Sequence, residues 1–78
     1  MKPEIEKIIK SVKDDITQEE MLNIVSSGAL GSLHIVQLVA ALEENFNIEI
    51  DWNEVHPENF ETIDAIEELI RKHKMRKG

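Results

Sequence analysis

The sequence contains no cysteine, few aromatic residues and no long uncharged apolar run. Without cysteine the chain can form neither disulfides nor thiolate metal sites, and a thiol could only be supplied by a group other than its own side chains. The amino-terminal stretch has the pattern of neither a signal peptide nor a membrane span, so we expect a cytoplasmic protein. At this length we expect one domain over residues 1–78 with little room for a catalytic cleft, which favours a binding or carrying role.

Basic residues are missing from most of the chain. Sixteen Asp and Glu oppose nine Lys and Arg, and no Lys or Arg lies between Asp14 and Ile70. An acidic field of this kind repels nucleic acid and attracts partners that present Lys and Arg, although acidity can also serve solubility alone. We interpret the basic run 71–77 as complementing the negative end of a last helix, with phosphate contact as the alternative. We therefore expect basic protein partners and no nucleic acid.

The spacing of apolar residues predicts three main helices. Pro3 suits the first turn of a helix, and Ile5, Ile8, Ile9 and Val12 follow on one face. A second helix runs from Ser32 to about residue 45, and a last helix is capped by Thr62. Their apolar faces consist of Ile35, Leu38, Val39, Leu42 and Phe46 in the second helix, and of Ile63, Ile66, Leu69 and Ile70 in the last.

The two connections differ in length. The segment from residue 13 to about residue 31 is a long loop with one helical turn at 19–23, and long loops in small domains tend to be functional. The second connection begins at Asn47, which closes the helix before it, and has a short helical turn near Pro57. Core anchors are expected at Ile16, Met21, Leu22, Ile24, Val25, Leu30, Ile48, Ile50, Val55 and Phe60, with Trp52 as a partial anchor. The predicted fold is all-α, a small four-helix bundle of three main helices and one short helix.

A second apolar stripe runs along the second helix. Leu33, Val36 and Ala40 lie together, away from the predicted core face, with Glu43 and Glu44 beside them. An exposed apolar strip edged by carboxylates is typical of a transient protein interface. The alternative is that the first or last helix covers these residues as core.

Ser32 has two interpretations. As an N-cap residue it would accept a backbone N–H bond and contribute about 1 kcal/mol. As a modification site it would place a phosphate ester against the free N–H groups and the positive end of the helix dipole.

Together these residues carry a family resemblance. The run Leu30-Gly31-Ser32-Leu33, then Ile35-Val36, then the stretch LVAALEENFNIEI over 38–50, resembles the acyl carrier proteins and related peptidyl carrier domains. In that family the motif reads Asp-Ser-Leu and a leucine-rich helix ends in Glu-Glu-x-Phe before an Ile-x-Ile segment. The resemblance covers nearly the whole chain, and it implies a helical bundle of the acyl-carrier-protein type.

The resemblance implies a function without catalysis. Ser32 would bear 4′-phosphopantetheine, transferred from coenzyme A by a separate phosphopantetheinyl transferase, and the thiol of the arm would hold an acyl or aminoacyl thioester. Partners would be loading, condensing and transfer enzymes with basic docking surfaces, in fatty-acid, polyketide or related biosynthesis, acting on a monomeric carrier. The positions implied to dock these partners are Gly31, Leu33, Val36, Gln37, Ala40, Glu43 and Glu44.

Three positions depart from the family pattern. Gly31 stands where the family has Asp, a residue that assists recognition by the transferase and its metal ion, and His34 and Gln37 replace positions that are often acidic. An unmodified carrier-like interaction module is therefore the alternative to a loaded carrier.

The histidines point to no further chemistry. His34, His56 and His73 have no metal-ligand spacing and are interpreted as ordinary surface residues. Ser32 and His34 are two positions apart on a helix and point about 200° from each other, which excludes a catalytic triad built on them. We expect neither a catalytic residue nor a metal site.

Overall fold

The computed structural model describes the backbone of residues 1–77 and the side chains of residues 1–74. This part of the chain is helical and contains no strand. Its elements are the α-helices α1 (Lys2–Val12), α2 (Ser32–Phe46) and α3 (Ile63–Lys77), and single 3-10 turns at Glu20–Leu22, Trp52–Glu54 and Pro57–Asn59. The predicted all-α class with three main helices is confirmed, and the short helix predicted near Pro57 is one 3-10 turn.

Helix boundaries follow the capping signals in the sequence. Thr62 Oγ1 accepts the Ala65 N–H at 3.0 Å, which caps α3 as predicted. Asn47 ends α2 in the left-handed backbone conformation, with φ 55°, which asparagine adopts more readily than most other residues. In the first connection, Thr17 and Glu20 cap each other's backbone N–H groups at 2.9 and 3.1 Å, which fixes the turn that follows.

The core lies between the three α-helices and is completed by both connections. Each fully buried aliphatic or aromatic side chain stabilises the fold by about 1.5 to 3 kcal/mol. The buried apolar residues are Ile5, Ile8 and Ile9 of α1, Leu38, Val39 and Leu42 of α2, Ile66, Leu69 and Ile70 of α3, and Ile16, Met21, Ile24, Ala29, Leu30, Ile48, Ile50 and Phe60 of the connections. Of the other predicted core residues, those that are partly buried are Val12, Val25, Ile35, Phe46, Val55 and Ile63.

Two predicted core anchors are exposed instead. Leu22 is 68% exposed because a 3-10 turn has three residues per turn, so that Met21 and Ile24 share the inner face and Leu22 points away. Trp52 is 66% exposed, whereas Ile50 and Phe60 of the same connection are buried. The predictions for Leu22 and Trp52 were wrong.

His73 was also assigned wrongly as a surface residue. Its side chain is buried, and its Nε2 lies 2.8 Å from Glu54 Oε1. This contact fastens the end of α3 to the 3-10 turn at 52–54. The rest of the basic run lies in the last turns of α3, where Arg71 pairs with Glu67 at 3.7 Å; the side chains of residues 75–77 lie outside the described part.

The carboxylate of Glu61 fastens the first connection to the start of α3. Its Oε1 accepts the backbone N–H groups of Val25 and Ser26, each at 2.9 Å, and its Oε2 accepts the Ser26 hydroxyl. The Glu61 carbonyl oxygen accepts the Ile24 N–H at 2.7 Å. The Ser26 hydroxyl first, and then the backbone N–H groups, hold the pKa of Glu61 below its usual value.

Replacing Glu61 by glutamine is expected to lower stability at neutral pH, because the amide is uncharged and has one acceptor oxygen instead of two. The folded-state pKa of Glu61 lies below its unfolded value of about 4.3, so its contribution is complete above that pH and is lost as pH falls through the folded pKa. Urea midpoints of wild type and Glu61→Gln should differ at pH 7 and converge well below about pH 4. The exposed Glu58 provides the control Glu58→Gln, expected to match wild type; a Glu61→Gln difference that persists undiminished in acid would contradict the prediction.

Candidate functional site

Ser32 is the first residue of α2, and its side chain is exposed. Gly31 is the cap residue, with φ −82° and ψ −177°, so the predicted N-cap role of Ser32 was wrong by one position. The Gly31 N–H donates to His34 Nδ1 at 3.4 Å, which turns the chain into the helix without help from the serine. The Ser32 hydroxyl is therefore presented to solvent from the first turn.

The start of α2 leaves backbone N–H groups without helical partners. The first bond of the helix runs from the Ile35 N–H to the Gly31 carbonyl at 3.0 Å. The N–H groups of Ser32, Leu33 and His34 precede that bond, at the positive end of the helix dipole. This end of α2 therefore favours an anion such as a phosphate ester.

An apolar strip leads away from Ser32 along α2. Leu33 is 70% exposed, Val36 is 45% exposed, and Ala40 is exposed one turn further on. The predicted exposure of this strip is confirmed, and neither α1 nor α3 covers it. We call Leu33, Val36 and Ala40 the docking strip below.

The polar residues beside the docking strip are not equivalent. Gln37 and Glu44 are exposed. Glu43 is partly buried, and its Oε2 accepts the Ile50 N–H at 2.9 Å. Glu43 thus also ties the second connection to α2, a contact that helical periodicity alone does not indicate because Ile50 lies beyond the helix.

An open apolar groove of about 390 Å³ lies beside Ser32. One side comes from the start of α2 and the end of the first connection, and the other from the second connection. The lining residues are Val25, Leu30, Gly31, Ser32, Ile35, Val36, Trp52, Val55, His56, Pro57 and Phe60. Sequence reasoning missed this groove. The signal that could have indicated it is the group of apolar residues in the second connection that line it, Trp52, Val55, Pro57 and Phe60.

The surroundings of the groove are acidic. The charged residues between positions 14 and 70 are all Asp or Glu. Asp51 and Glu58, next in the chain to the groove residues Trp52 and Pro57, are exposed among them. A partner that approaches Ser32 therefore meets a negative field around an apolar surface, which favours a basic face on the partner.

Within the described part of the chain, no group of three or more His, Asp or Glu residues is placed to hold a metal ion. His34 turns its Nδ1 towards the Gly31 N–H, and His56 lines the groove. None of the helices in that part is long and apolar enough to cross a bilayer.

Comparison with known proteins finds a relative. A protein of Buchnera aphidicola subsp. Baizongia pistaciae (strain Bp), named acyl carrier protein, is 39% identical to this chain over 62 residues, which cover 80% of this chain and 74% of that protein. No protein-family model matches the chain. No solved structure matches it.

Proposed function

The chain belongs to the acyl carrier protein family, and from this premise we propose that it holds an acyl or aminoacyl cargo as a thioester on a 4′-phosphopantetheine arm attached to Ser32. A member of this family is a carrier and not an enzyme. The observation that carries the proposal is the exposed Ser32 hydroxyl at the start of α2, beside both the apolar groove and the docking strip.

The residues around Ser32 fit such an arm. In the proposed modification, Ser32 Oγ would lose its proton and form a bond to the phosphorus that bears pantetheine, while the phosphoanhydride bond of coenzyme A breaks and adenosine 3′,5′-bisphosphate leaves. The product is a negatively charged phosphodiester, which the free N–H groups at the start of α2 stabilise. The arm supplies the thiol that a chain without cysteine lacks.

The partners of the proposed carrier follow from the surface beside Ser32. A transferase must reach the hydroxyl, and loading, condensing and transfer enzymes must reach the end of the arm. The docking strip offers them an apolar contact, and the exposed Glu44 offers a carboxylate for Lys or Arg. Gly31, Gln37 and Glu43 complete the proposed docking set.

Gly31 favours a second candidate, an unmodified carrier-like module that binds partners through the docking strip alone. The family motif has Asp at this position, and the family Asp assists the transferase. A side chain would fit here, since nothing lies within 4 Å of a Cβ added to Gly31 and its φ of −82° is ordinary. The glycine is therefore not required by the backbone, and its effect falls on recognition.

Coexpression with a broad-specificity phosphopantetheinyl transferase separates the two candidates. Intact mass of the wild-type chain is expected to rise by about 340 Da, the mass of the arm. Gly31→Asp should be modified faster, by about 10-fold or more in kcat/KM, because a carboxylate is restored next to the attacking hydroxyl. Gly31→Asn is the matched control, since Asn caps a helix as well as Asp but carries no charge. A wild-type chain that stays unmodified, with a gain only in Gly31→Asp, would support the second candidate.

A further inference from the structure

Trp52 is the only tryptophan of the chain, and two thirds of its side chain face solvent. An indole is a large apolar group whose burial is strongly favourable, and tryptophan is enriched where proteins bind each other. The chain has few aromatic residues, and the other two, Phe46 and Phe60, are partly and fully buried. An exposed indole in such a chain therefore indicates a contact with another molecule.

The position of Trp52 connects it to the proposed docking surface. Trp52 and Val36 line the same groove, although they come from different elements, and Ser32 lines that groove as well. Val36 belongs to the docking strip. The strip and the indole are thus parts of one apolar surface around the modification site.

The turn that carries Trp52 is firmly held. Glu54 Oε1 accepts the Asp51 N–H at 3.2 Å and lies 2.8 Å from His73 Nε2. The Glu54 carbonyl accepts the Asn59 side-chain N–H at 2.7 Å. A preorganised turn loses little conformational entropy when a partner binds its side chain. Trp52 is therefore exposed from a structured support.

The charges near Trp52 select the kind of partner. Asp51, its neighbour in the chain, is an exposed carboxylate. Among the described side chains, the cation that lies above an aromatic ring is the Lys74 ammonium, 5.9 Å from the centre of the Phe46 ring. It does not cover the Trp52 indole. The face of an indole is the best aromatic acceptor for a cation, and arginine both stacks on it and pairs with a carboxylate.

We propose that Trp52 is a docking anchor for an enzyme partner that presents arginine, with the guanidinium stacked on the indole and paired with Asp51. The proposal rests on the proposed function, because the partner is an enzyme that comes to Ser32 or to its arm. It adds a contact on the second connection to the docking strip on α2. Docking by this chain then depends on two elements that meet at the groove.

The test is binding of the unmodified chain to a broad-specificity phosphopantetheinyl transferase, without coenzyme A, followed by ¹⁵N NMR. Because Trp52 is the only tryptophan, its indole N–H gives a single resonance in the labelled chain, whatever the unlabelled transferase contains. We expect this resonance to shift on binding. Trp52→Ala should raise Kd by about 10-fold, and Trp52→Phe by less, because the phenyl ring binds cations more weakly.

Leu22→Ala is the matched control, since Leu22 is as exposed as Trp52 but does not line the groove. Its Kd should stay within about 2-fold of wild type. Circular dichroism checks that each variant is folded.

Three results would overturn the proposal. In the first, the indole resonance stays in place while the Leu33 and Val36 amide resonances shift, and Trp52→Ala has the Kd of wild type. This result would rule out Trp52 as an anchor but would not contradict the carrier function. A shift that appears only after the arm is acylated, in the absence of any partner, would assign the indole to the cargo. No shift at all, together with no mass gain at Ser32, would overturn the proposed function and the anchor with it.

Discussion

Replacement of Ser32 by alanine is expected to abolish the gain of about 340 Da that we propose for the wild-type chain with the transferase. In the proposed modification the arm is joined through Oγ, and alanine has no oxygen to accept the phosphoryl group. The fold should persist, because Ser32 is exposed, its side chain does not cap α2, and alanine is the best helix former. Intact mass should therefore show that modification is lost, while urea unfolding should show that the free energy of unfolding changes by less than about 0.5 kcal/mol.

Ser27 supplies the comparison for Ser32→Ala. It is an exposed serine of the first connection, close to the start of α2, and its hydroxyl accepts the Ala29 N–H at 3.2 Å. Ser27→Ala should lose this bond, and some stability, but keep the full mass gain. A gain that survives in Ser32→Ala would place the arm on another residue.

Periodicity and capping were sufficient to predict the helices. The apolar spacing of α1 and α2 is local information, and so are Thr62 at the start of α3 and Asn47 at the end of α2. The exposure of the docking strip followed in the same way, because Leu33 and Val36 lie on a different face of the helix from the core residues.

Several features that the sequence did not predict are contacts between residues far apart in the chain. The burial of His73 depends on Glu54, 19 positions away, and the path of the first connection depends on Glu61, 36 positions from Val25. The groove beside Ser32 could not be predicted for the same reason, since its sides are brought together by packing. The one-residue error at Ser32 has a local cause, because His34 accepts the Gly31 N–H and so starts the helix with a side chain that is not a usual cap partner.

Glu61, two residues before α3, and His73, within α3, hold the two sides of the groove although neither lines it. Glu61 accepts the N–H of Val25, which lines the groove from the first connection. His73 contacts Glu54, in the same turn as Trp52 on the other side. Two polar contacts of residues outside the groove thus support the apolar surface around Ser32. Variants of Glu61 or His73 are therefore expected to alter the proposed docking although neither residue belongs to the proposed docking set.

Phe60→Ala is expected to have the largest effect on stability. Phe60 is fully buried and also lines the groove, so its ring joins the core to the surface beside Ser32. Truncation of a buried phenylalanine costs about 3 to 5 kcal/mol, a large part of the roughly 5 to 15 kcal/mol that keeps a small protein folded. Urea unfolding followed by circular dichroism should show a midpoint at very low urea concentration, or no folded baseline at all.

The control for Phe60→Ala is Leu22→Ala, at an exposed position, which should change the free energy of unfolding by less than about 0.5 kcal/mol. A loss below about 1 kcal/mol in Phe60→Ala would contradict the prediction, because it would mean that the ring is not part of the core.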